Sequence, residues 1–139
     1  MERQIHKKNW LGTLIVLMLA MLTTTSARAQ EVKNYGFTFC GEEVTSENRG
    51  KLSKIEGVSG RAWYSEDSKT LYLENATIEK DVSIIVNNSN PNMKIVLYGE
   101  NNLTAQGVAI EINAATTIYG RGSGTLNVKS EKSFGILTR

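Results

Sequence analysis

The chain has 139 residues and a formal charge of +2, from 16 Lys and Arg residues against 14 Asp and Glu residues. Its one histidine is His6, so residues 30–139 hold no imidazole for a catalytic triad, a general base or a metal ligand. Residues 30–139 carry 12 positive and 13 negative charges, a balance that argues against a nucleic-acid-binding protein. About 110 residues suffice for one domain with a sizeable core.

Residues 1–29 are predicted to be a secretory signal peptide. A positively charged segment precedes the apolar residues 11–22, and residues 27–29 form an A-x-A cleavage site. The alternative, a transmembrane anchor, is disfavoured because the apolar run is shorter than the ~20 residues that cross a bilayer. Cleavage releases a chain that is secreted or held at the cell surface, with no membrane span of its own. In that oxidising compartment we expect Cys40 to be a buried apolar residue rather than a reactive thiol.

From residue 35 onward, short runs of β-forming residues are separated by Gly- and Asn-rich breaks. Several runs alternate apolar with polar or small residues, as at Val108, Ile110 and Ile112, which places one face of each strand inside. The predicted strands cover residues 35–39, 70–74, 82–86, 93–98, 108–112, 116–119, 125–128 and 134–136. The one helical feature predicted is a brief turn within residues 46–56.

The chain also repeats itself. Residues 95–99 recur at residues 116–120, an offset of 21, and another Gly-containing pair recurs at an offset of 28. Offsets in the twenties that vary with loop length are typical of a parallel β-solenoid, in which each coil covers the apolar face of its neighbour. The alternative is an antiparallel β-sandwich, which also has about seven short strands. The recurring Tyr-Gly positions favour the solenoid and make Tyr98 and Tyr119 equivalent residues of adjacent coils.

Five segments of the sequence look familiar, namely residues 37–48, 60–64, 70–78, 97–104 and 117–128. Through these segments the sequence resembles a family of secreted bacterial carbohydrate-binding proteins with a pectate-lyase-like β-helix. The resemblance covers nearly all of the chain after the signal peptide. It implies a right-handed parallel β-helix and, in some members, binding to plant-type polysaccharides, but no enzymatic activity. We therefore predict an all-β, right-handed parallel β-helix of about five short coils over residues 30–139.

The C-terminus departs from the resembled family. That family continues through more coils, whereas this sequence stops at Arg139 just after another strand has begun. An uncapped coil has unpaired backbone N–H and C=O groups at its edge. We therefore expect a truncated or degenerate copy, with further coils beyond Arg139 or with end-to-end self-association.

Catalysis on such a scaffold needs clustered carboxylates. Polysaccharide lyases of the resembled fold hold Ca²⁺ with several carboxylates, generally including Asp, and residues 30–139 contain only Asp67 and Asp81. A hydrolase needs two carboxyl groups about 5–9.5 Å apart across one sugar, and nothing in the sequence brings Glu74 and Glu111 together. We predict no enzymatic activity, no catalytic residues, no metal site and no cofactor.

Polysaccharide binding is the function that the residues favour. Sugar rings present apolar C–H faces edged by hydroxyls, which aromatic side chains beside polar groups can hold. The predicted carbohydrate-binding residues are Trp63, Tyr64 and Tyr72. Only one of Trp63 and Tyr64 can lie on a given face of a strand, and Tyr72 points outward if Leu71 and Leu73 point inward.

Two further expectations concern residues outside this set. Tyr98 and Tyr119 are expected to stack on each other between coils, and the Asn residues of the breaks, such as Asn101, to bond to nearby backbone. The alternative function is a structural or adhesive cell-surface module with no glycan ligand.

Overall fold

Eleven β-strands and one short 3₁₀ turn make up residues 28–139, the part of the chain that the computed structural model describes. The strands are β1 (Asn34–Phe39), β2 (Glu42–Thr45), β3 (Val58–Ser65), β4 (Thr70–Lys80), β5 (Ile85–Asn87), β6 (Met93–Tyr98), β7 (Glu100–Ala105), β8 (Ile110–Ile112), β9 (Thr116–Gly120), β10 (Thr125–Ser130) and β11 (Ile136–Thr138). The 3₁₀ turn, Leu52–Lys54, lies within the region where the sequence predicts a brief turn. The predicted signal peptide lies outside the described residues, except for residues 28 and 29. From Arg28 to the C-terminus, the structure has no helix with the length and apolar character needed to cross a membrane.

The N-terminal strands pair in antiparallel fashion, which the sequence does not predict. β1 and β2 form a hairpin through Cys40 and Gly41, whose φ angles of 53° and 85° are both left-handed, as a type I′ turn requires. β1 also pairs antiparallel with β5, and β3 with β4. Strands β2 and β3 are missing from the prediction because paired glutamates in β2, and Gly60 with Arg61 in β3, interrupt the alternation of apolar residues.

Parallel pairing joins the rest of the chain into three successive layers. The first layer is β4 and β5, the second is β6, β7 and β8, and the third is β9, β10 and β11. Met93 lies opposite Thr116 and Ile110 opposite Ile136, displacements of 23 and 26 residues. Five parallel strands form one curled sheet in the order β10–β7–β4–β6–β9.

The pairing settles three expectations. The all-β class and the parallel sheet are confirmed. The antiparallel sandwich is wrong for the strands after β4, since each of them pairs in parallel with a strand of an adjacent layer. About five coils is too many for the described residues because each of the later layers uses three strands.

The repeat alignment based on Tyr-Gly is wrong by two residues. Tyr119 lies opposite Val96, so Tyr98 is its diagonal neighbour on the adjacent strand rather than its direct partner. The register instead aligns the inward-facing Ile95 with Ile118. Register follows burial of the apolar face, because a slip would turn every side chain to the wrong side.

The layers bend at left-handed residues. β4 bends at Asn75, whose φ is 47°, and its two halves pair with different strands, the first with β6 and the second with β7. Gly99 forms the matching bend between β6 and β7 with a φ of 64°. A side chain at Gly99 would collide with the side chain of Asn75. The bends therefore separate two outward surfaces, one on β4 and β6 and one on β4 and β7.

Asn101 lies fully buried beside these bends and links the layers. Its Oδ1 accepts a hydrogen bond from the Ala76 N–H at 2.9 Å, in the first layer. Its Nδ2 donates to the carbonyl of Tyr98 at 3.1 Å and to the carbonyl of Thr125, which begins β10 in the third layer, at 3.2 Å. Asn101 bonds to backbone as expected, but it lies within strand β7 rather than in a turn, and two of its partners belong to the other layers.

The core fills the space between the parallel layers and the N-terminal hairpin. Its largest fully buried side chains are Phe37, Phe39, Leu52, Leu71, Leu73, Ile78, Ile84, Ile85, Met93, Ile95, Leu103 and Ile110. Cys40 is also buried, as predicted, and burial raises the pKa of its thiol to about 12. The thiol is therefore protonated at neutral pH and behaves as a small apolar side chain.

Candidate functional site

The outward surface of β3, β4, β6 and β9 carries a row of aromatic side chains. Leu71 and Leu73 are completely buried, so the alternation of the strand turns Tyr72, between them, to the outside. Strand pairing places Tyr72 beside Trp63 of β3 on one side and Val96 of β6 on the other. We define the aromatic face as Trp63, Tyr72, Tyr98 and Tyr119 with the charged residues among them, Arg61, Glu74, Lys94 and Arg121.

Three of the rings stack on one another. The ring centroids of Trp63 and Tyr72 are 4.9 Å apart with an interplanar angle of 13°, and those of Tyr72 and Tyr98 are 6.4 Å apart with an angle of 21°. Such pairs contribute about 0.5–1.5 kcal/mol each beyond the area that they bury. Because the stack fixes the rings, a ligand meets a surface that loses little conformational entropy on binding.

Tyr119 closes the row at its far end. It lies opposite Val96, whose side chain points outward on β6 and yet is only 1% exposed, since Tyr72 and Tyr119 flank it on the two neighbouring strands. The Tyr119 side chain is itself 37% exposed, whereas the three stacked rings are half-buried. Tyr119 is therefore the ring of the aromatic face that is most open to a ligand.

A charged pair lies at the Trp63 end of the row. The Arg61 guanidinium carbon is 5.0 Å from the Trp63 ring centroid, and its Nη1 donates to Glu74 Oε2 at 2.8 Å. The two charged side chains are 70% and 34% exposed, so the ion pair contributes at most about 1 kcal/mol to stability. Its main effect is to hold a cation and a carboxylate in fixed positions beside the indole.

Two more cations lie at the other strands of the face. Arg121 follows β9, and its interaction with the Tyr119 hydroxyl is the main reason that its pKa is raised, with smaller contributions from Tyr98 and Tyr72. The guanidinium therefore remains charged at any accessible pH. Lys94 is exposed on β6, two residues before Val96 in the sequence. The row of rings is thus bordered by positive charge on several sides.

The structure brings two of the three predicted binding residues together and separates the third. Trp63 and Tyr72 are stacked neighbours on the aromatic face. Tyr64 lies in the core, 3% exposed, with its ring centroid 4.9 Å from those of Tyr35 and Phe37. Its hydroxyl accepts a hydrogen bond from Asn90 Nδ2 at 2.9 Å. Tyr64 is therefore not part of this face, in line with the rule that strand neighbours point opposite ways.

Tyr98 and Tyr119 belong to the face, although the sequence analysis treats them only as a stack between coils. The signal for Tyr98 is present in the sequence, since Ile95 and Leu97 alternate with it and turn it outward. The signal for Tyr119 is weaker, because its position in the row depends on a register of 23 residues, whereas the Tyr-Gly repeat has an offset of 21.

A second polar cluster lies at the turn between β3 and β4. Glu66 accepts hydrogen bonds from Lys33 Nζ and, at 2.8 Å, from the Tyr35 hydroxyl. These bonds hold the pKa of the Glu66 carboxyl below its usual value and raise that of Lys33. The cluster ties the residues before β1 to the β3–β4 turn, which makes it a structural contact.

No group of three or more His, Cys, Asp or Glu side chains among residues 28–139 could hold a metal ion. Comparison of the chain with protein-family models, with curated proteins and with solved structures found no match.

Proposed function

We propose that the protein is a secreted, non-catalytic module that binds polysaccharide on its aromatic face. The observation that carries this proposal is the outward row of rings from Trp63 to Tyr119, with Arg61, Glu74 and Arg121 beside it. Aromatic side chains turned away from an apolar core are the residues that a protein uses to hold a partially apolar ligand.

The chemistry of the face suits a sugar chain. The rings provide apolar area for the C–H faces of sugars, and the tyrosine hydroxyls both donate and accept hydrogen bonds. Arg61 and Arg121 donate from planar guanidinium groups, while Glu74 accepts. Because the rings are already stacked, their hydroxyls can form hydrogen bonds with several sugar hydroxyls at little cost in conformational entropy.

The scaffold that we propose is a right-handed parallel β-solenoid, which the resemblance to secreted carbohydrate-binding proteins implies. The three layers of parallel strands support it, as do displacements of 23 to 26 residues between paired positions such as Met93 with Thr116 and Ile110 with Ile136. Each layer covers the apolar side of the one before it. Export to the cell surface or the medium follows from the predicted signal peptide.

The carboxylates near the face support binding rather than catalysis. Glu74 is paired with Arg61, and hydrogen bonds from Lys33 and Tyr35 lower the pKa of Glu66, which favours the ionised form of the Glu66 carboxyl at neutral pH. A glycosidase needs one carboxyl group kept protonated as its general acid. Incubation with pectin-type and neutral polysaccharides, followed by assays for unsaturated and reducing ends, tests this part of the proposal; product formation would refute it.

A structural or adhesive module remains the second candidate because Trp63, Tyr72 and Tyr98 use ring faces on each other. A stack of that kind stabilises the outer side of a sheet even when no ligand binds. This candidate predicts that substitutions on the face lower stability and leave every glycan signal unchanged.

Glycan binding by matched variants separates the two candidates. The purified protein is screened on a polysaccharide array, and positive polymers are then titrated by calorimetry with Tyr119→Ala and with Phe134→Ala. Phe134 is the control because it is a more exposed ring, 64% exposed, outside the aromatic face. We expect Tyr119→Ala to weaken binding about tenfold or more, as truncation of an interfacial aromatic does, and Phe134→Ala to leave it unchanged.

Thermal unfolding of both variants confirms that each is folded under the binding conditions. An array on which no polysaccharide binds would refute the proposal in favour of the structural candidate. Equal loss of binding in both variants would show that the glycan is held elsewhere.

A further inference from the structure

Positive charge is concentrated on the aromatic face. The face carries Arg61, Lys94 and Arg121 against one carboxylate, Glu74. Residues 30–139 as a whole carry 12 positive and 13 negative charges, so the remainder of that segment is net negative. An excess of cations around one surface of an otherwise acidic domain raises the local concentration of anionic ligands.

The cations flank the row of rings rather than interrupt it. Lys94 precedes Val96 by two residues on β6, and Arg121 follows Tyr119 by two residues after β9. Because β6 and β9 run parallel and Val96 lies opposite Tyr119, a residue before Val96 and a residue after Tyr119 border the row on opposite sides, with Lys94 about 6.6 Å along its strand from Val96. Within residues 28–139 neither of them belongs to an ion pair.

The row also has a direction. It runs through Trp63 on β3, Tyr72 on β4 and Tyr119 on β9, with the covered Val96 of β6 between the two tyrosines and with Tyr98 two residues farther along β6. Strands lie about 4.8 Å apart, so the row crosses the strands over about 14 Å. A ligand that contacts all of its rings must be extended, must lie across the strands and must be longer than a single sugar.

We infer that the ligand of the aromatic face is an extended acidic polysaccharide that lies across the strands, with its anionic groups at Lys94 and Arg121. This inference rests on the proposed polysaccharide-binding function and specifies the chemical class of the glycan. The outward parts of the stacked rings and the open ring of Tyr119 contact the apolar sides of the sugars, and the flanking cations pair with carboxylate or sulfate groups that project from the two sides of the chain.

The first test compares polymers that differ only in charge. Calorimetric titration with polygalacturonate and with its carboxyl-reduced form keeps the backbone and removes the anion, and a sulfated galactan distinguishes sulfate from carboxylate recognition. We expect the charged polymer to bind at least about tenfold more tightly, with an affinity that falls as the salt concentration rises from about 50 mM to about 500 mM. Equal affinity for the charged and the reduced polymer would overturn the inference.

The second test compares the loss of two positive charges on the aromatic face with the loss of two positive charges elsewhere on the surface. The double variant Lys94→Gln with Arg121→Gln removes two cations from the aromatic face. The control double variant, Lys129→Gln with Lys132→Gln, removes two exposed cations elsewhere, one in β10 and one just after it. The Lys129–Glu131 pair is largely exposed, so its loss has little effect on folding. We expect the first double variant to bind polygalacturonate about tenfold more weakly and the second to change it less than about twofold. Equal effects would mean that net charge, and not this face, attracts the polymer.

The length of the row gives the third test, a series of galacturonate oligosaccharides of increasing length. Affinity is expected to rise until the oligosaccharide spans about 14 Å and then to level off. An affinity that is already maximal for a single sugar would contradict a chain lying across the strands.

These outcomes also distinguish this inference from the proposed function. Suppose that a neutral glycan binds, that Tyr119→Ala abolishes this binding, and that Lys94→Gln with Arg121→Gln leaves it unchanged. That result would support polysaccharide binding and refute the acidic ligand. A failure to bind any charged or neutral glycan would refute both.

Discussion

Replacement of Asn101 by Ala removes an amide that hydrogen-bonds to backbone in all three layers of parallel strands. Asn101 is completely buried on β7, accepts from the Ala76 N–H in the first layer, and donates to carbonyls of the second and third layers. The substitution leaves the β-strand backbone unchanged and deletes only the side-chain amide. We expect the Asn101→Ala variant to fold with a clearly reduced free energy of unfolding.

The magnitude follows from the groups that lose a partner. A buried N–H left without an acceptor costs about 1–3 kcal/mol, and this is the situation of Ala76 in the variant. The Tyr98 and Thr125 carbonyls lose a donor as well, and the missing amide leaves a small cavity. The expected loss is therefore about 2–4 kcal/mol, a large part of the 5–15 kcal/mol that is typical of a domain.

Urea unfolding, followed by circular dichroism and by tryptophan fluorescence, measures this loss. Asn102→Ala is the matched control, since Asn102 is the next residue and points outward. Its side chain donates to Glu100 and accepts from Asn127 in exposed hydrogen bonds. We expect the control to lose about 0.5 kcal/mol, as cross-strand surface pairs do. Equal unfolding midpoints of the two variants, at equal dependence on urea, would refute the role of Asn101 in joining the layers.

Two titrating groups give the remaining predictions. Glu66 has a pKa that hydrogen bonds from Lys33 and Tyr35 hold below its usual 4.5, so its contribution to stability is present above about pH 4.5 and is lost as the pH falls through the lower value of the folded state. Glu66→Gln should therefore unfold with a weaker dependence on pH in that acid range, and identical acid-unfolding curves would contradict the assignment. Burial raises the pKa of Cys40 to about 12, so a thiol reagent at about pH 8 should label the urea-unfolded protein and not the native one. Rapid labelling of the native protein would show that the β1–β2 turn is open.

The sequence predicts the strands whose buried positions are all apolar. β6 has the predicted bounds, Met93–Tyr98, because Met93, Ile95 and Leu97 alternate with outward residues. β7 is missed because its second residue, Asn101, is polar and fully buried, a pattern that looks like a loop until its hydrogen bonds are known. The second half of β4 is missed for a related reason, since Asn75 looks like a strand end but takes a left-handed bend inside one strand.

The candidate site is predictable as far as local alternation reaches. Tyr72 faces outward because Leu71 and Leu73 face inward, and Trp63 follows as its partner across the β3–β4 turn. Tyr119 joins them only through strand pairing between layers, which aligns buried isoleucines rather than the visible Tyr-Gly repeat. Similarity between repeats reflects residues in turns as well as residues in the core. Here the offset of the Tyr-Gly repeat and the offset of the strand pairing differ by two residues.

Because β6 pairs with β4 and β9 pairs with β6, each layer adds one strand, and so one outward residue, to the row of the aromatic face. Duplication of a segment of about 25 residues between such layers would extend the row by about 4.8 Å and leave the antiparallel N-terminal hairpin untouched. Descendants of this sequence could therefore change the size of their outer surface in uniform steps, by copying whole segments instead of accumulating single substitutions. At the N-terminal end, β1 pairs antiparallel with β5 and β3 pairs antiparallel with β4. Such additions are therefore confined to the opposite end of the molecule or to its middle.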